Sequence, residues 1–182
     1  MFKPSAPRTA SAPVQPVGVR RHFAHLLIAA AALCAVAGQA RAEEGPVLKD
    51  NAVAGQVADV GSTGLGLALG AAEANPLGIL TLGVKAIAYK QIQAAPATEQ
   101  PAMWSAYGAF GWGATANNLC VIAAIATGGA AAALCPLIGV VAGVTVYNGD
   151  EDKRNRETFA AICQEQRRTR PDLVCEYKDS KG

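Results

Sequence analysis

Histidine is nearly missing from this sequence. The only two, His22 and His25, stand in the first 42 residues, a stretch that reads as a removable leader. Past Ala42 there is no imidazole to serve as a general base or to ligate a metal, and no C-x-x-C pair. The expectation is therefore no enzyme, no catalytic residue, no metal and no cofactor. One catalytic arrangement survives, a Ser62–Lys85 dyad, but Asp59 competes for that lysine. Charge is scarce as well: 16% of the residues are charged and 5% aromatic, while 51% are hydrophobic and 19 are glycine. Soluble domains carry about 25% charged residues. Helices that pack in a membrane through small residues account for the bias better.

The first 42 residues contain no acid and five basic residues; four of them stand in a leader that ends in Arg20-Arg21, before "HFAHLLIAAAALCAVAG" and "QARAEE". A basic segment, an apolar segment and small residues at Ala40 and Ala42 make a secretory signal with cleavage after Ala42. An uncleaved first membrane helix is the alternative. Cys34 lacks a small residue directly before it, which argues against lipidation. Of the sixteen basic residues eleven follow Ala42, against fourteen acids, so the remainder is net acidic and does not point to nucleic acid.

Residues 43–51 read as a short polar arm. From Ala52 to Gln93 only Asp59, Glu73, Lys85 and Lys90 are charged, and from Ala102 to Tyr147 no residue is. A bilayer core of about 30 Å needs about 20 apolar residues per helix. Four helices are expected over 52–73, 77–93, 102–126 and 130–147, divided at Asn75-Pro76, "AAPATEQP" and Thr127-Gly128-Gly129, with Pro136 inside the fourth. The expected fold is all-α: a four-helix membrane domain over 52–147 and a charged soluble tail over 148–182. The first two helices, weakened by glycine and by Lys85, could instead lie at the interface or in a soluble core. In the tail, Asn148 or Asp150 caps a helix running to about Arg168, which Pro171 ends. Cys163 and Cys175 lie where a disulfide would tie the end back, which requires an oxidising compartment. Cleavage leaves the new N-terminus outside, and four spans return the C-terminus to that side. Both observations point to a bacterial inner membrane protein with its mature termini in the periplasm.

At 100° per residue Gly55, Asp59, Ser62, Thr63, Gly66, Gly70 and Glu73 share one arc of about 100°. Gly66-x-x-x-Gly70 permits close helix approach. A carboxylate facing lipid costs several kcal/mol, so Asp59 should face another helix, and Lys85 sits at similar depth in the hairpin. The pair reads as a structural contact or as an ion relay. A second stripe holds Trp104, Gly108, Gly111, Thr115, Asn118 and Ile122. Near the outer end of that helix Trp104 and Tyr107 suit an interfacial belt, and toward its inner half Asn118 suits a hydrogen bond to a neighbouring helix. Gly139-x-x-x-Gly143 is a further packing signal. Cys120 and Cys135 read as buried small hydrophobes.

Asp59, Ser62 and Thr63, followed by Gly70, Glu73, Asn75 and Pro76, form a D-x-x-S-T … G-x-x-E-x-N-P pattern. It resembles that of a family of small bacterial multi-helix membrane proteins without an assigned activity. The resemblance covers the first hairpin and implies a helix that begins near the aspartate and ends at the Asn-Pro turn. Asn75 then caps the second helix, with Pro76 in its first turn. The expected role is structural or accessory, with lipid and either further copies or another membrane protein as partners. An oligomeric ion or small-solute transporter using Asp59 and Lys85 is the alternative.

Overall fold

The computed structural model describes residues 47–69, 78–129 and 132–178, all within one compact unit, Glu44–Gly182. Gly70, Glu73, Asn75 and Pro76, and the leader over 1–42, lie outside the described residues. Among the described residues there are five α-helices and no strand: α1 Val47–Ala68, α2 Gly78–Ala94, α3 Gln100–Ala126, α4 Cys135–Gly149 and α5 Glu151–Arg167. A single 3-10 turn, Ala132–Leu134, leads into α4.

The helix ends follow local chemistry. α2 stops before Pro96, where the Gln100 side chain donates to Ala95 O at 2.9 Å and closes the turn. Pro101 sits in the first turn of α3, where its missing N–H costs nothing. α3 ends at Gly128 and Gly129, whose φ values of +93° and +84° put them in the left-handed region that glycine enters without strain. Pro136 does not lie inside the fourth helix as expected: α4 starts at Cys135, so the proline falls in its first turn. Asp150 precedes α5 but makes no side-chain cap. Its carboxylate is drawn away, accepting from Asn51 Nδ2 at 3.2 Å and pairing with Lys153 at 2.8 Å.

α3 is the hub. α1 packs along one face of it and α4 along another, while α2 leans on it more lightly and α5 lies across its first turns. Both main contacts run through glycine. A Cβ on Gly111 would stand 2.6 Å from Gly55 C, and one on Gly113 would stand 2.7 Å from Gly139 O. The helices are thus as close as backbone permits. A buried apolar cluster, Leu48, Ala52, Ile92 and Trp104, sits at the α5 end of the bundle.

That cluster corrects two expectations. Residues from Val47 onward are helix rather than arm, because Leu48 has a core to enter and is 1% exposed. Trp104 is 3% exposed and packed edge-on against Tyr89 and Tyr107, so it belongs to that core and not to an interfacial belt.

Among the described residues two helical runs, Gln100–Ala126 and Ala132–Gly149, are long and apolar enough to cross a membrane. α4 buries only Cys135 and Gly139, and Leu137, Ile138, Val140, Val141 and Val144 face outward. A core helix of a soluble protein shows the reverse. After α5 the chain turns at Pro171 and runs back along the helix. Arg167 Nε donates to Leu173 O at 2.9 Å, the Phe159 and Tyr177 rings lie 5.5 Å apart, and Cys163 is joined to Cys175.

Candidate functional site

Helical spacing turns Gly55, Asp59, Ser62 and Gly66 to the buried side of α1, with Thr63 half-buried beside them. α2 brings Lys85 to the same place. Asp59 is 5% exposed and Lys85 8%, and Lys85 Nζ donates to Asp59 Oδ2 in a buried ion pair. The lysine approaches from a helix that has few other contacts. Tyr107 steadies that helix by donating its hydroxyl to Lys85 O at 3.1 Å.

α3 supplies the third side. Asn118 Nδ2 lies 2.8 Å from Asp59 Oδ1, 3.0 Å from Thr63 Oγ1 and 3.2 Å from Ser62 Oγ. Its two amide hydrogens thus serve three oxygens, with Asp59, the charged acceptor, at the shortest distance. Ser62 Oγ donates in turn to Asp59 O at 3.0 Å, within its own helix. The carboxylate therefore receives a lysine on one oxygen and an amide on the other, and no group in the cluster carries net charge alone.

This arrangement limits the chemistry. Ser62 and Lys85 make no hydrogen bond to each other among the described residues; each donates to Asp59 instead. A dyad of that pair is not assembled. The described residues also include no group of three or more histidine, cysteine or acidic side chains able to hold a metal. What the cluster does is join three helices at one buried point, where close backbone contact leaves little room for longer side chains.

Lys85 also lines a groove of about 310 Å³ between α1 and α2, walled by Val57, Val60, Leu82 and Tyr89, with Gln56 at its edge. Gln56 Nε2 donates to Tyr107 O at 2.6 Å, which fixes the amide orientation, and Gln56 Oε1 is buried without a partner.

The sequence reading missed several groups. Cys120 and Cys135 are not separate thiols but a disulfide, with Cα atoms 5.4 Å apart. The signal was available: both stand almost equally far from the Thr127–Gly129 break, and an antiparallel hairpin sets such residues side by side. Asn51 was also passed over. It accepts from Trp112 Nε1 at 3.2 Å while donating to Asp150, so it ties α1, α3 and α5 together. Arg154 reaches back to Ser105 Oγ at 2.8 Å and to Tyr147 O, and stacks on the Tyr147 ring at 3.9 Å. Glu157 accepts from the Leu48 N–H at 3.1 Å, meeting one of the orphan donors of the first turn of α1. Burial pushes the Glu157 carboxyl above its ordinary range; the Leu48 bond works against that shift, and Asp150 and Asp50 add to it.

Comparison with known proteins finds no matching family, no matching characterised protein and no matching solved structure.

Proposed function

We propose that the chain is a small integral protein of the bacterial inner membrane with a structural or accessory, partner-binding role. The observation that carries the membrane half is the outward apolar face of α4, Leu137 to Val144. In water that face would be a standing aggregation site. In this reading the signal over 1–42 is removed, four helices span, and α5 with its disulfide-tied tail lies in the periplasm. The Cys120–Cys135 bond then sits about 30 Å along α3 from Gln100, toward the opposite leaflet. Cys135 is fully buried, which with surrounding lipid shields the bond from cytoplasmic reductants.

The accessory half rests on the saturation of the seam. Asp59, Lys85 and Asn118 satisfy one another, which suits a cluster that holds helices and needs no substrate. A structural protein works through what it touches, and two surfaces are free to do so: the apolar flank of α4 for another membrane helix, and the exposed polar face of α5 for a periplasmic protein. Crosslinking in intact membranes tests this. The expected result is a discrete higher band, formed with itself or with a co-purifying protein; recovery of monomer alone, with nothing co-purifying, refutes the role.

The groove beside Lys85 favours one second reading, an oligomeric ion or solute transporter. Proton or ion flux in liposomes that Asp59→Asn abolishes would establish it in place of the first.

A further inference from the structure

A second opening lies away from the seam, where the first turns of α1 and α3, the end of α2 and the middle of α5 meet. Its volume is about 490 Å³. Ala160 and Ala161 of α5 leave the space, and the walls carry Lys49, Glu157, Trp104, Gln93 and Gln164. This is a mixed polar cavity rather than an apolar groove, and it lies at the end of the bundle that α5 covers.

Two half-buried charges and one indole N–H on its walls leave room for a further partner. Lys49 and Glu157 line the same cavity with opposite charge, yet neither enters an ion pair among the described residues. Lys49 reaches only the face of Trp104, 5.9 Å from the ring centroid. Glu157 accepts one backbone N–H and feels the Lys153 charge, while burial disfavours its own. Trp104 is 3% exposed, and its indole N–H makes no hydrogen bond among the described residues. Opposite charges left unpaired across one partly enclosed space, beside an indole N–H, fit a ligand that supplies the complement of both.

We infer that this cavity binds a small zwitterion, its ammonium on Glu157 and its oxyanion on Lys49 and the Trp104 N–H, of the ammonium-phosphate kind. Phosphoethanolamine has that chemistry. It could arrive as the headgroup of a membrane lipid or as a free soluble molecule. Gln93 and Gln164 offer further amide donors and acceptors along the same wall. A plain anion would leave Glu157 unmet and add repulsion, whereas a plain cation would do the same at Lys49. The lipid source rests on the membrane reading above; the site itself does not.

The test is native mass spectrometry of the full chain released from nanodiscs of equal phosphatidylethanolamine and phosphatidylglycerol. Retention of phosphatidylethanolamine over phosphatidylglycerol is expected. It should fall about tenfold in Glu157→Gln and in Lys49→Gln, the loss of one charge-assisted hydrogen bond. Glu157→Gln keeps an oxygen for the Leu48 N–H, so the fold is preserved, as helical circular dichroism will verify. Arg168→Gln, on the exposed tail side of α5, should bind as the wild type does. Displacement by glycerophosphoethanolamine identifies a headgroup that also binds from solution, and resistance to it identifies the lipid as the source. Equal retention of both lipids, or unchanged retention in Glu157→Gln, overturns the site. Should the chain partition into water without detergent, the membrane reading fails alone. Glycerophosphoethanolamine titrated in buffer then decides the site: binding lost in Glu157→Gln sustains it, and no binding overturns it.

Discussion

Replacing Asp59 by Asn should be among the most damaging single changes in the chain. The substitution keeps size and keeps an oxygen for Asn118 Nδ2, now 2.8 Å from the carboxylate, so it removes little except the charge. Lys85, 8% exposed, would then hold an ammonium in a low-dielectric site with no counter-charge among the described residues. Removing one partner of a buried pair costs about 3–5 kcal/mol, because the remaining charge keeps its desolvation penalty. Helix-helix hydrogen bonds in membranes average only about 0.6 kcal/mol, so the two kinds of effect are separable. The assay is unfolding by added dodecyl sulfate from dodecyl maltoside micelles, followed by circular dichroism. The double variant Asp59→Asn/Lys85→Met removes both charges and should recover all but about 1–2 kcal/mol, since an apolar replacement of a buried pair is often neutral. A cost below about 1 kcal/mol for Asp59→Asn, or a double variant worse than the single, would refute the claim that the pair is structural and buried.

Other expectations follow from the same contacts. Asn118→Ala leaves three oxygens short of a donor and should cost about 1–2 kcal/mol in the same unfolding assay. Gly111→Ala places a methyl 2.6 Å from Gly55 C and should destabilise by about 1–3 kcal/mol or more, since backbone must move. Gly61→Ala and Gly64→Ala meet nothing within 4 Å and should be neutral or stabilising by up to about 1 kcal/mol. Cys175→Ser frees the tail of α5, and trypsin should then cut at Arg167 or Arg168 markedly faster than in wild type; the bond closes a separation of 12 residues and is expected to contribute about 2–3 kcal/mol. The Glu157 carboxyl is raised above 4.5, so the folded state holds its proton more tightly than the unfolded one. Stability from this group is full below 4.5 and is lost as pH rises through the raised value. Melting temperatures across pH 4 to 7 should show that slope in wild type and a flatter curve in Glu157→Gln.

How much of this was legible depends on what each residue had to satisfy. An isolated aspartate and an isolated lysine in neighbouring apolar helices, at similar depth, leave one another as the obvious partner, and Asp59 and Lys85 do meet. Asn118 could be placed on an interhelical face from its spacing; that one amide would serve Asp59, Ser62 and Thr63 together depends on how closely α1 and α3 approach, which Gly55 and Gly111 decide. Trp104 was misread for a tertiary reason. Nothing local says that Leu48 lies over it and that α5 covers that end, because those contacts join residues far apart in sequence. The helix starts were misjudged at Val47 and Cys135, where polar composition and a proline masked the continuity of α1 and the true first turn of α4. The cavity at the α5 end was beyond sequence reasoning, since Lys49, Gln93, Trp104 and Glu157 come from four helices.

The central claim is a membrane-embedded bundle whose two ends face different compartments. Membrane-impermeant labelling of single tags in intact spheroplasts tests it most directly, with tags after Gly182, at Thr98 and at Gly128, on membranes washed with alkaline carbonate. The account predicts that the chain stays in the carbonate pellet, that the C-terminal and Thr98 tags are labelled from outside, and that the Gly128 tag is labelled only after lysis. Release by carbonate, or labelling of the Gly128 and C-terminal tags from the same side, would contradict it.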